Sequence, residues 1–132
     1  MESRRWWPTA DEIAADVRRE LAGNDPDMAM RLLLDGINQL PEAAKAERLD
    51  EALLEPQTTG DERWDTLLAA SIRYRLHTMH CQPPHWTRKE PLGRFWWPTD
   101  AGRGRAIYDM ANAPAELARV GIFLSQRDFE HA

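Results

Sequence analysis

Residues 62–79, ERWDTLLAASIRYRLHTM, constrain the fold more than any other stretch of the chain. Trp64, Leu67, Leu68, Ser71, Ile72, Arg75, Leu76 and Met79 recur at the three-and-four spacing of one helix face. Arg63, Thr66, Arg73, His77 and His80 fall opposite. A helix with so wide an apolar stripe is stable only when other elements cover it. The spacing therefore predicts a central helix at about 62–80 in an all-α protein.

The flanking sequence supplies the helices that would cover it. After an irregular lead-in at 1–8, Thr9 and Glu12 make a T-x-x-E capping box, with Trp7 placed to staple onto Ile13. Ile13, Val17 and Leu21 give a narrow stripe that ends at Gly23-Asn24. Asp25-Pro26 opens a second helix, where Gly36 suits a close helix crossing. A third region, 41–56, is Ala-rich and acidic, with a gap in its pattern at Glu47. Helices at about 105–111 and 114–121 follow, then the apolar run Ile122-Phe123-Leu124 and a last turn started by Ser125 or Asp128. Between them, 82–104 is dense in Pro and Gly, which preclude a long regular element. It also holds Trp86, Phe95, Trp96 and Trp97, too much apolar area for a solvated linker. An ordered, aromatic-pinned loop is expected there. W-W-P-T occurs at 6–9 and again at 96–99, which reads as one helix-start device used twice.

With 132 residues the chain is expected to be a single helical domain, 1–132. A lone cysteine, Cys81, and an N-terminus without an apolar run point to a cytoplasmic protein, and no stretch has the length of a membrane span. The net charge of −5 is unevenly spread. Residues 1–62 carry seven basic and 15 acidic side chains, net −8; residues 63–132 carry ten and seven, net +3. Phosphate repels an acidic half, whereas a basic protein surface attracts it.

Three constellations are candidates for function. The carboxylates Glu42, Glu47, Asp50, Glu51 and Glu55, with Trp6 and Trp7 as anchors, suit a protein partner. Arg88, Lys89, Arg94, Arg103 and Arg105, interleaved with Trp96 and Trp97, suit nucleic acid, because such a surface stacks on bases and neutralises phosphates. His77, His80, Cys81 and His85 are zinc-ligand types; on a continuous helix His77 and Cys81 share a face, with His85 just beyond a Pro-Pro turn. No nucleophile–base pair or catalytic motif stands out, so the protein reads as a non-enzyme needing no cofactor.

Three stretches together resemble a known group: TADEIAADVRREL with RLLLDGINQLP, then TGDERWDTLLAASIRYRLH with PPHWT, and finally PAELARVGIFLSQRDF. They are similar to small actinobacterial proteins and domains of antitoxin type, over about residues 9–130. The resemblance implies a protein that neutralises a toxin-type enzyme by direct binding, with no catalytic residues of its own. In many relatives a similar segment follows a helix-turn-helix domain. This sequence departs from the longer relatives in lacking a helix-turn-helix at its N-terminus, so autoregulation by direct operator binding is not expected of it.

Overall fold

The computed structural model describes residue 5, residues 7–99 and residues 102–130; the side chains of Gly102 and Arg103 are outside the description. The described residues are mostly helical and contain no strand beyond one isolated bridge. The all-α class expected from the sequence is the class observed. The chain divides into two compact units, 1–62 and 63–132. The division falls where the net charge changes from −8 to +3.

In the first unit, α1 (Ala10–Ala22) opens on the full capping box: Glu12 N–H donates to Thr9 Oγ, and Thr9 N–H donates to Glu12 Oε1 at 2.9 Å. Arg5 adds a two-pronged bond to the same carboxylate, and this bond is the main reason it ionises below the ordinary glutamate value. α2 (Pro26–Asn38) begins with Asp25 accepting from Met28 N–H. It packs on α1 where a Cβ on Gly36 would lie 2.7 Å from Ile13, so glycine is required by the crossing. α3 (Leu40–Lys45) and α4 (Leu49–Ala52) are the two halves of the acidic region, parted at Glu47. The 56–60 loop is tied back to α1: Gln57 N–H donates to Asp11, and Arg18 donates to the Thr58 carbonyl.

The second unit is built on α5 (Glu62–Thr78), which is buried around far more of its circumference than one stripe. Thr66, placed by the periodicity on the polar face, is buried, as is Tyr74. Ala69, Ala70 and Ser71 supply small side chains through the middle of this buried stretch. A 3-10 turn at His85–Thr87, α6 (Gly102–Asn112), α7 (Ala115–Ala118) and α8 (Gln126–Glu130) follow. The aromatic loop is ordered by backbone pairing with the segment after α7. Leu92 N–H bonds Val120 O, Trp96 N–H bonds Gly121 O, and Phe123 N–H bonds Trp96 O. Its rings then dock: Trp96 on Trp64 at 5.6 Å, and Phe95 and Trp97 on Phe123 at 5.3 and 5.2 Å. Ile122, Phe123 and Leu124 are thus both an extended segment and a core anchor.

α6 is attached differently from the other helices. It buries Asp109 completely and exposes Ile107, Tyr108 and Met110. Arg105 bridges Asp109 on its own helix and Asp128 on α8, at 2.9 and 2.7 Å. Asp128 in turn accepts from Ser125 N–H at the start of α8. The Trp97 indole N–H donates to Ala106 O, which fixes the first half of α6.

Among the described residues four helix ends share one closure. At Asn24, Glu47, His80 and Gly121 the backbone turns left-handed, with φ of 59°, 58°, 58° and 83°. Each time this residue's N–H bonds the carbonyl three residues back, and the next N–H bonds the carbonyl five residues back. These are Schellman closures, which satisfy carbonyls that a helix end leaves orphaned. The second W-W-P-T runs into residues outside the description. Thr9 caps α1, whereas Thr99 Oγ is buried without a hydrogen-bond partner among the described residues, and Asp100 lies outside them.

Candidate functional site

The expected partner-binding residues of the first unit separate into exposed carboxylates and a buried ring. Glu42, Glu47, Asp50, Glu51 and Glu55 are all exposed. Glu42 is paired with Lys45 and Glu51 with Arg48, both within one helical turn. Glu47, Asp50 and Glu55 have no ion pair among the described residues, and Leu54 beside them is 68% exposed. Trp7 cannot serve as an exposed anchor: it is 8% exposed, packed with Ala43, Ala52 and Leu49, and Arg48 lies over its ring. Aromatic area of this size is worth more buried than solvated, and small alanines on α3 and α4 leave room for it. Trp6 lies outside the described residues.

The metal constellation does not assemble. Among the described residues no group of three His, Cys, Asp or Glu side chains is placed to hold an ion. The reason is the helix end. α5 stops at Thr78 and His80 is left-handed, so Cys81 leaves the helical register that would have stacked it on His77. The Cys81 N–H instead closes the helix on Leu76 O at 2.8 Å. His77 is engaged elsewhere, its Nδ1 2.5 Å from Glu116. His85 sits in the 3-10 turn and is exposed.

The basic-aromatic set divides. Arg105 is taken up between Asp109 and Asp128 and is not a free cation for phosphate. Arg103 has no described side chain. Trp86, Trp96 and Trp97 are half-buried rather than presented as open faces. Trp96 carries Arg63 over its ring at 4.9 Å, and Trp97 is spent on Phe123 and Ala106. Arg94 is exposed, and Phe95 is the one ring of the loop that is largely solvent-facing, at 66%.

Arg88 and Lys89 belong to a different grouping, which the linear pattern of the loop does not show. Three hydrogen bonds bring together α5, the 3-10 turn and α7. Arg73 donates to Thr87 Oγ at 3.2 Å, Arg119 donates to Lys89 O at 2.9 Å, and His77 meets Glu116. Burial, and then the charges of Arg119 and Arg88, hold the Arg73 guanidinium below its ordinary pKa, with Glu116 acting in the other direction. The sequence signal was the i, i+4 pair Arg73 and His77 on α5; nothing in the sequence linked it to Arg119.

No family model, curated protein or solved structure matches the chain. A polar hollow of about 300 Å³ is lined by Tyr108, Asn112, Ser125, Gln126, Arg127 and Glu130. The Ser125 hydroxyl there accepts from Arg127 N–H, a helix-start bond rather than the setting of a nucleophile. No helix among the described residues is long and apolar enough to cross a membrane.

Proposed function

We propose that this is a non-catalytic, antitoxin-like binding protein of the cytoplasm, which neutralises a partner enzyme by laying the acidic face of its first unit on a basic surface. The observation that carries the reading is the group Glu47, Asp50 and Glu55, exposed and without ion pairs among the described residues, on the same 47–55 segment as the solvent-facing Leu54. An apolar side chain of this size left in solvent gains by being covered by a partner. Unpaired carboxylates also speed encounter with a cationic partner. The half-buried state of Trp86, Trp96 and Trp97 favours this reading over base stacking, which needs open ring faces.

An affinity pull-down of the tagged protein from native cell extract, read by mass spectrometry, tests it. One stoichiometric enzyme-type partner is expected, retained by the parent and lost by a Glu47→Lys, Asp50→Lys, Glu55→Lys variant. A partner held equally by both removes the acidic face from the account. Recovery of nucleic acid alone, or of nothing, overturns the reading as a whole.

A further inference from the structure

Among the described residues the basic side chains differ in what holds them. Arg5, Arg19, Lys45, Arg48 and Arg105 each hold a carboxylate. Arg73, Arg88 and Arg119 hold none among the described residues, although Arg73 and Arg119 are anchored on Thr87 and Lys89, the two residues that flank Arg88. Two of them are anchored there by neutral acceptors, the Thr87 hydroxyl and the Lys89 carbonyl. Thr87 is itself fixed: it is 1% exposed and donates to Pro84 O at 2.6 Å. Glu116 is the carboxylate facing Arg73, and His77 already engages it. Two anchored arginines with Arg88 between their anchor points, and a carboxylate that His77 already engages, leave an excess of positive charge on a pre-positioned frame.

Guanidinium forks match the oxygens of a tetrahedral oxyanion two at a time, and a bound anion removes the repulsion among them. We infer that Arg73, Arg88 and Arg119 form a binding site for a phosphate group. The site lies wholly in the second unit and does not depend on the acidic face or on any partner enzyme. The same chemistry is offered by free orthophosphate and by the phosphate of a mononucleotide. Arg88 is exposed and has the freedom to close on the anion, while Arg73, half-buried, supplies the fixed floor.

The test is a titration of the full chain, followed by backbone NMR shifts at Thr87, Arg88 and Lys89, with inorganic phosphate, with AMP and with a short single-stranded oligothymidylate at low salt. Saturable shifts with phosphate or AMP are expected, with dissociation constants on the order of 1 mM or tighter. If phosphate and AMP bind equally, the ligand is free orthophosphate. If AMP binds about ten-fold tighter, it is a phosphate monoester with further contacts. Arg88→Gln, at an exposed position that leaves the fold intact, is expected to weaken binding about ten-fold, as loss of a charge-assisted bond does. Arg119→Gln is expected to do the same, and Arg31→Gln on α2 to do nothing. Shifts that never saturate, binding of the oligonucleotide alone, or equal weakening by Arg31→Gln would each overturn the assignment.

Discussion

Gly36→Ala pits two effects of known size against each other. On an exposed helix the change gains about 1 kcal/mol of helix propensity. Here the added Cβ would lie 2.7 Å from both Cγ1 and Cδ1 of Ile13 and 3.2 Å from Pro8. Carbon atoms in contact sit about 3.5–4.0 Å apart, so the shortfall is on the order of 1 Å. Cδ1 is a side-chain tip, but Cγ1 is not, and Ile13 is only 1% exposed. Overpacking of this kind costs about 1–3 kcal/mol, so a net loss of roughly 1 kcal/mol is expected. Urea denaturation would read it as a lower midpoint at constant m. The sharper test is the sign in a second background. Ile13→Ala alone costs about 2–5 kcal/mol, but it removes both clashing atoms. In that background Gly36→Ala should be neutral or stabilising by up to about 1 kcal/mol, because mainly the propensity gain remains. The same loss in both backgrounds would refute the reasoning about the crossing.

Two further outcomes follow from local geometry. His80→Gly should stabilise the fold by about 1 kcal/mol, since glycine escapes the left-handed penalty that histidine bears; thermal unfolding that shows a loss instead would mean the ring makes a contact worth more than the strain. The Arg5 bond lowers the pKa of Glu12 in the folded state, so its stabilisation is present above the ordinary glutamate value of about 4.3 and is lost as pH falls through the lower folded value. Urea midpoints across that window should fall less steeply for Arg5→Gln than for the parent; identical slopes would show the pair contributes nothing.

What the sequence made legible was whatever depends on neighbours in the chain. The Thr9–Glu12 box, the Asp25-Pro26 start and the interruption at Glu47 are local signals, and each matches the observed element. The close crossing at Gly36 was legible because only a missing side chain explains glycine inside a helix. The apparent metal set misled because it assumed that α5 continues past Thr78. A residue other than glycine in the left-handed position is uncommon, and nothing before His80 in sequence announces the stop. The residues around Arg73 were invisible for the opposite reason: Thr87 meets Arg73, and Lys89 meets Arg119, only through tertiary contact. Ile107, Tyr108 and Met110 are the large apolar side chains of α6, yet they face solvent.

That last inversion sets α6 apart. The hydrophobic effect itself has no direction, and a helix held by an oily stripe takes its rotation from the fit of the side chains in that stripe. α6 is held by a guanidinium fork between two carboxylates and by an indole N–H aimed at a single carbonyl. Bonds of this kind are met at one rotation and one height along the axis and lost at the next. The helix is keyed into its seat rather than glued to it, and its orientation is set independently of the apolar side chains it displays.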